Sequence, residues 1–275
     1  MGLLGLIIVF TSLGGLLSVI AASAFLLMPE QLRQALLPHG ISFAIGALLA
    51  VAFWGLLPEA FAGVRPEQFQ ALSATVLAGI LLFFVLEKML IWRHCHHGEC
   101  EVHADEASHD HDHLHRAGHR HGIAQSVGAI IIMGDAIHNF VDGVLIAAAF
   151  LTDVQLGIAT SLAVAAHEIP QEVGDFAILL QSGYSIRKAF VYNVLASLAT
   201  LLGGLTAYFG LDGVQSRLPY ILALAASSFI YIAVADLIPS LHKKTDLKAS
   251  LEQITLISLG VLLICSLHYL TQNLG

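Results

Sequence analysis

GDAIHNFVDG at residues 134–143 and HEIPQEVGD at residues 167–175 are two polar motifs set inside long apolar stretches, which join at about residues 151–154. The ionisable and amide side chains of the first motif are Asp135, His138, Asn139 and Asp142. Those of the second are His167, Glu168, Gln171, Glu172 and Asp175. Ionisable groups are costly in hydrocarbon and usually mark a pathway or a partner. These two motifs are therefore the part of the chain around which the fold and the function are organised.

The composition predicts an all-α integral membrane protein. Hydrophobic residues make up 57% of the chain and charged residues 12%, with a mean hydropathy of +0.79, whereas ordinary globular domains are about 25% charged. The first run lacks a positive n-region and is about twice as long as a signal-peptide h-region, so we interpret it as a helix. Residues 1–275 are expected to form a single transmembrane domain. Runs long enough to cross hydrocarbon, about 20 residues each, predict eight transmembrane helices at 2–28, 40–61, 68–92, 123–150, 154–181, 187–210, 216–239 and 251–272.

Two related leucine-proline endings predict an inverted repeat. The second helix ends in GLLPEAF with Glu59 near the outer surface, and the seventh ends in ADLIPSL with Asp236 near the inner surface. Endings of this kind at opposite faces are expected when helices 1–3 and 6–8 are inverted copies, a 3+2+3 arrangement around helices 4 and 5. The alternative is that proline commonly ends helices at interfaces.

The basic residues predict the orientation. The net charge of −8 is not informative, because much of the acidity and 10 of the 15 histidines lie in one loop; it indicates no acidic or basic partner, and hence no nucleic acid. With eight helices, one side of the membrane holds only Arg65 and Arg217, and the other holds the remaining ten Lys and Arg. Positive residues favour the cytoplasmic side. Both termini are therefore expected outside the cytoplasm, in the plasma or inner membrane of the cell.

Residues 93–122 form the one long loop, which is expected to be disordered and cytoplasmic because it has too little apolar surface to fold. Histidine-rich tracts are typical of metal binding, since neutral imidazole suits Zn, Cu, Ni and Fe. A solvated linker is the alternative. The histidines expected to capture metal are His94, His96, His97, His109, His111, His113, His115, His119 and His121, with His103 in the same tract.

Spacing places the ligand-type residues of each central helix on one face. His138 and Asp142 are four residues apart, as are Asp135 and Asn139, His167 and Gln171, and Glu168 and Glu172, so each pair lies one turn apart. Both His138 and His167 lie about 14 residues, or about 20 Å, from the connecting loop. If the two helices are antiparallel neighbours, the polar faces meet near the middle of the membrane. Pro170 is expected to kink the helix beside His167 and make room for an ion.

A buried hydrogen-bond network that only packs two helices together is the alternative to a metal site. The density of ionisable groups favours a metal, because each buried charge needs a partner and a divalent cation supplies several at once. Metal is then expected to enter past Glu59 and to leave by Asp175, Asp236 and the loop.

HNFVDG followed by HEIPQE in the next helix resembles the ZIP family of metal transporters, and most of all the subfamily whose fifth helix reads His-Glu-Ile-Pro-His-Glu. The resemblance extends through HEIPQEVGDFAILLQSG, RKAFVYN and FIYIAVADLIP. It implies uptake of Zn²⁺ as the transported substrate, with Cd²⁺, Fe²⁺, Mn²⁺ and Co²⁺ also tolerated by such a site. It also implies an elevator-like movement of helices 1, 4, 5 and 6 against helices 2, 3, 7 and 8.

The resemblance implies a two-metal site. One metal would bind His138, Asp142, His167 and Gln171, and the other Asn139, Glu168 and Gln171, with Glu172 or Asn193 as further ligands. Three positions depart from the family pattern. Gln171 stands where the subfamily has a second His, which leaves open whether one or two metals bind. Val51 and Gly55 stand where many members have Asp and His, and Ser240 replaces a frequent acidic residue after Pro239.

Other functions stay open at this point. His167, Glu168 and position 171 nearly form the H-E-x-x-H of a zinc protease, although Gln171 supplies no second imidazole. A metal exporter also uses H-x-x-x-D in a helix, but such proteins usually have six helices and a cytoplasmic C-terminal domain. A metal sensor without flux is a third alternative. A homodimer is compatible with the sequence.

Overall fold

The computed structural model describes residues 2–95, 117–210, 215–242 and 247–274. In these ranges the chain forms eight helical segments, and no strand is present among the described residues. The segments are α1 (Leu3–Leu26), α2 (Glu30–Ala62), α3 (66–95), α4 (Ala117–Thr152), α5 (Val154–Gln181), α6 (Ile186–Gly210), α7 (Leu218–Leu241) and α8 (Leu247–Leu274).

Seven of the described helices are long and apolar enough to cross a membrane. The predicted all-α membrane protein is thus confirmed. The helix that does not meet this description is α5, because its polar motif lowers the hydropathy of the segment. The count of eight transmembrane helices therefore stays a prediction, and it depends on whether α5 also crosses the membrane.

Some boundaries differ from those predicted. Helix α2 begins at Glu30 instead of residue 40, because residues 30–39 are too polar for hydrocarbon yet consist largely of good helix formers. The loop predicted at 93–122 overlaps a helix at each of its ends, and its disorder stays a prediction. Helix α3 runs to Cys95 and α4 begins at Ala117, so His94, His119 and His121 fall within helices. The other predicted loop histidines lie at 96–116, outside the described residues.

A π-helical segment, whose turns are wider than those of an α-helix, precedes the proline in both leucine-proline endings. In α2 a π-helical segment at Val51–Leu56 comes just before Pro58, and in α7 one at Ile232–Leu237 comes just before Pro239. Proline lacks an amide hydrogen and its ring crowds the carbonyl of residue i−4, which disturbs the hydrogen bonds of the preceding turn. The two endings therefore share a local backbone form as well as a sequence.

The helices pack mainly in two groups. In the first group, α1, α5 and α6 lie against one another, and α4 packs against α5 and α6. In the second, α2 packs against α8 and α3 packs against α7. The two groups meet where α2 contacts α5.

The α4–α6 contact is very close. A Cβ at Gly143 would lie 1.9 Å from the carbonyl oxygen of Thr200, and one at Gly203 would lie 2.0 Å from that of Phe140. This close approach brings the polar side chains of α6 within reach of the polar face of α4.

Candidate metal site

The connection between α4 and α5 sets the two polar motifs face to face. Asp153, the single residue between the helices, caps α5 by accepting hydrogen bonds from the amides of Gln155 and Leu156, both at 2.9 Å. So short a connection makes the helices adjacent and antiparallel, as a helical hairpin. His138 Nε2 and His167 Nε2 lie 3.3 Å apart across the hairpin. The predicted meeting of the two motifs is present.

Four side chains converge around this contact, and we call them the histidine cluster: His138, Asp142, His167 and Glu168. His138 Nε2 lies 3.6 Å from Asp142 Oδ2 and 3.4 Å from Glu168 Oε1. His167 Nε2 lies 3.2 Å from Asp142 Oδ2 and 3.6 Å from Glu168 Oε1. All four ligand atoms lie within 4.8 Å of one another.

These separations fit the ligand shell of a tetrahedral zinc ion. Nitrogen and oxygen ligands bind Zn²⁺ at about 2.0–2.2 Å, so two ligands at adjacent corners of a tetrahedron lie about 3.3 Å apart. Five of the atom pairs in the histidine cluster lie between 3.2 and 3.6 Å. The set also has the mixed imidazole and carboxylate chemistry that Zn²⁺ accepts.

The carboxylates of the histidine cluster are buried without hydrogen bonds. Asp142, His167 and Glu168 are fully buried, and the side chain of His138 is 21% exposed. None of the carboxylate oxygens of Asp142 and Glu168 accepts a hydrogen bond from a residue that the structure describes. Asp142 Oδ2 lies 3.2 Å from His167 Nε2, within the distance of an ion pair. Buried polar groups are nearly always paired, so these oxygens are suited to a cation.

The second ring nitrogen of His167 has a partner. Its Nδ1 lies 3.1 Å from the carbonyl oxygen of Ala163, one turn earlier in α5. A carbonyl only accepts, so Nδ1 carries the proton and the lone pair of Nε2 is directed at the cluster. A hydrogen bond from the outer nitrogen to a backbone carbonyl is the usual way in which a ligating histidine is oriented. Phe229 of α7 lies beside the same imidazole, at 6.2 Å between ring centroids.

A second group shares Glu168, and we call it the carboxylate cluster: Asp135, Glu168 and Glu172. One oxygen of each lies within 4.8 Å of the others, and all three side chains are buried. Sequence analysis placed Asp135 on the pathway; the structure brings it into this group. Sequence analysis named Asn193 of α6 but missed Ser197 and Thr200, although the three are spaced i, i+4, i+7 and so lie on one face of that helix.

The remaining predicted site residues lie around these two clusters. Asn139 is fully buried and bonded to both Asp135 and Thr200, while Asn193 is buried on α6.

Gln171 is half-buried one turn after His167, and Pro170 lies inside the continuous helix α5. Asp175 is half-buried and interacts electrostatically with Glu168 and His138. The exposed Glu59 belongs to neither cluster.

Asp236 lies in the π-helical segment of α7 and is exposed, yet it interacts electrostatically with both imidazoles of the histidine cluster. It also interacts with Glu87 of α3, a residue that sequence analysis did not single out. The hydroxyl of Tyr231 donates a hydrogen bond to Glu87 and so ties α7 to α3. A carboxylate in a membrane helix was the available signal for Glu87.

Comparison with known proteins finds one family over nearly the whole chain. The family described as ZIP Zinc transporter matches residues 1–268. Human Zinc transporter ZIP10 is 36% identical over 165 residues, which are 56% of this chain and 20% of that protein. Human Zinc transporter ZIP4 is 44% identical over 117 residues, or 42% of this chain and 18% of that protein. Zinc transporter foi of Drosophila melanogaster is 42% identical over 139 residues, or 50% of this chain and 19% of that protein.

The matches therefore span about a fifth of the length of these curated relatives, and what such a relative does as a whole does not pass directly to this chain. The family match rests on its extent, since it includes both polar motifs and all the membrane helices described above. The resemblance noted in the sequence is confirmed at the level of the family. The chain belongs to the ZIP zinc transporter family.

Proposed function

We propose that this protein is a transporter of divalent metal ions, Zn²⁺ above all, and that it carries them into the cytoplasm through the histidine cluster. The observation that carries the proposal is the convergence of two imidazoles and two unpaired carboxylates at the spacing of a zinc ligand shell, buried between helices. Family membership favours a transporter over the intramembrane protease considered above. Zinc is the transported substrate here and is not a resident cofactor.

The chemistry of the site suits an ion that must bind and leave again. The two nitrogen ligands favour Zn²⁺ and related transition metals over harder cations. The carboxylates balance the charge of the ion, which makes its transfer out of water less costly. Protons compete with metal for both ligand types. The site would thus hold an ion only while the ion compensates the buried charge.

The direction of transport is inferred from the basic residues and the acidic ones. Ten Lys and Arg lie on the side that carries residues 96–116, against two on the other, which makes that side cytoplasmic. This orientation requires α5 to cross the membrane as well, which brings the number of spans to eight and places both termini outside. Glu59 would receive metal at the outer end. Asp175 and Asp236, which interact with residues of the histidine cluster, would accept it on the inner side.

We further propose that access alternates by movement of α1, α4, α5 and α6 relative to α2, α3, α7 and α8. The pairing of helices supports this division, because the closest contacts join α4 to α6 and α2 to α8, within the two groups. The matching wide turns before Pro58 and Pro239 support an inverted repeat, 3+2+3, as the origin of the two halves. Within the family, HEIPQE differs from the HEIPHE subfamily only at Gln171, and we place the chain there.

Uptake of radioactive zinc by purified protein in liposomes tests the site. We expect the double variant His138→Ala/His167→Ala to lose uptake to the level of empty liposomes, because both nitrogen ligands are gone. The matched control is His39→Ala/His242→Ala, which removes one half-buried and one exposed imidazole outside the cluster. Normal uptake by the cluster variant would refute the assignment. In cells that express the wild-type protein, zinc depletion in place of accumulation would refute the inward direction.

A further inference from the structure

We infer that a cleft between α2 and the beginning of α8 binds the headgroup of a phospholipid that carries a primary ammonium group, as phosphatidylethanolamine does. The cleft is lined by His39 of α2 and by Lys248 and Glu252 of α8, among others. None of its lining residues belongs to the histidine cluster or the carboxylate cluster. The inference goes beyond the proposed function and depends only on α2 and α8 being membrane helices.

The two helices that form the cleft run in the same direction and touch a few turns farther on. A Cβ at Gly46 would lie 2.0 Å from the carbonyl oxygen of Ile257, so the backbones meet there. His39 precedes Gly46 by seven residues, and Glu252 precedes Ile257 by five. The apolar span of α8 begins at Leu247, within the first turns that line the cleft. The cleft therefore opens at the edge of the bilayer, where the headgroups lie.

Two hydrogen-bond acceptors face each other at the polar end of the cleft. His39 Nδ1 lies 2.6 Å from the carbonyl oxygen of Ala35. A carbonyl only accepts, so Nδ1 carries the proton, and Nε2 of the neutral imidazole presents a lone pair. This Nε2 lies 3.5 Å from Glu252 Oε2. A donor placed beside both atoms would satisfy both, and a primary ammonium group has three N–H bonds with which to do so.

The other oxygen of Glu252 faces a cation. Lys248 Nζ lies 3.9 Å from Glu252 Oε1, one turn earlier in α8, and the lysine side chain is strongly exposed. An ion pair of this kind is weak, so the ammonium group of Lys248 can also contact a phosphate, which lysine commonly binds. A carboxylate beside a lysine thus complements a headgroup in which an ammonium group is joined to a phosphate by a short linker.

An apolar surface continues from the polar end of the cleft. A second cavity is also lined by His39, Lys248 and Glu252, and it extends over Leu247 and Leu251. These two leucines are exposed and one turn apart on α8. A hydrocarbon chain attached to the phosphate would cover them as it enters the bilayer. A water-soluble amine or phosphate would leave them uncovered, so we assign the cleft to a lipid.

The facing acceptors predict which phospholipids prefer the cleft. Phosphatidylcholine has the same phosphate, but its quaternary ammonium group has no N–H bond to donate. Phosphatidylglycerol has a phosphate and no ammonium group, so it would place no cation beside Glu252. Phosphatidylethanolamine alone among these three lipids can use both Lys248 and the pair of acceptors.

Native mass spectrometry of the full chain in detergent, titrated with one lipid at a time, tests the inference. We expect the wild type to bind phosphatidylethanolamine at least ~5-fold more tightly than phosphatidylcholine, because only the former donates charge-assisted hydrogen bonds. Glu252→Gln should abolish this preference, since the side chain loses the charge that the ammonium group pairs with. The matched control is Glu67→Gln, which removes an exposed carboxylate outside the cleft and should keep the preference.

Equal binding of phosphatidylethanolamine and phosphatidylcholine by the wild type would overturn the inference, as would an unchanged preference in Glu252→Gln. A preference for phosphatidylglycerol that is lost in Lys248→Gln alone would overturn it too, in favour of a simple basic surface. If Glu252→Gln does not fold, His39→Ala serves, because it removes the other acceptor; an unchanged preference there also overturns the inference. The lipid is not expected to alter zinc uptake, so the two results are independent.

Discussion

The two clusters share Glu168 but are held in different ways. In the histidine cluster the imidazoles themselves lie against the carboxylates, and Asp142 accepts no hydrogen bond from any described residue. In the carboxylate cluster, Asp135 and Glu172 are each fixed through one oxygen by a neighbouring amide or hydroxyl. The two groups therefore differ in chemistry although they share Glu168: the histidine cluster combines imidazoles with carboxylates, and the carboxylate cluster has carboxylates alone.

Helix α6 contributes no side chain to the histidine cluster, whereas its hydroxyl groups bond to Glu172 and Asn139 at the carboxylate cluster. Its close crossing with α4 depends on Gly143 and Gly203, and it carries both Ser197 and Thr200. The carboxylate cluster therefore depends on the packing of three helices, whereas the histidine cluster needs only the α4–α5 hairpin. Variants can separate the two.

The largest effect is expected from Glu168→Gln, because this residue serves both clusters. Zinc uptake into liposomes should fall by at least ~100-fold, which as a ratio corresponds to about 2.7 kcal/mol. Asp142→Asn is the matched comparison, since it removes a carboxylate from the histidine cluster alone and should reduce uptake less. If Glu168→Gln and Asp142→Asn reduce zinc uptake equally, Glu168 is not shared in function.

A smaller effect is expected from Ser197→Ala combined with Thr200→Val, which removes the α6 hydroxyls and leaves every carboxylate in place. Loss of hydrogen bonds to metal ligands typically weakens metal binding by about 10-fold to 100-fold. These hydroxyls bond to Glu172 and Asn139, which lie outside the histidine cluster, so zinc uptake should fall by less than about 10-fold. Thr206→Val, an exposed hydroxyl farther along α6, is the control. A loss of uptake as large as that of Glu168→Gln would mean that α6 supports the histidine cluster as well.

The smallest effect is expected from Gln171→His, which restores the residue that the resemblance leads one to expect. Position 171 is half-buried one turn after His167, and an added imidazole should tighten zinc binding by about 3-fold, less than 1 kcal/mol. The zinc concentration that gives half-maximal uptake into liposomes measures it. An unchanged or higher half-maximal concentration would contradict the prediction.

Short motifs were enough to predict the family, and composition was enough to predict the fold class. Paired spacing on two neighbouring apolar segments led to His138 and His167, because a helix places residues four apart on one face and a short connection makes the segments neighbours. The ends of the helices were less accessible. Hydropathy measures where a helix leaves hydrocarbon, and α2 and α4 continue as helices beyond that point.

The sequence by itself determined an all-helical membrane protein of the ZIP family, since this follows from hydropathy and motif. It also gave His138, Asp142, His167 and Glu168 as candidate ligands, but the resemblance assigned Glu168 to a different metal from the other three, and only the structure brings the four together. Only the tertiary structure decided which other helix the polar face of α4 meets. Spacing alone lets Asn139 bond to Asp135 one turn earlier in α4, but its bond from the hydroxyl of Thr200 depends on the approach of α6. That approach is a property of backbone packing at Gly143 and Gly203, and no spacing within one helix encodes it.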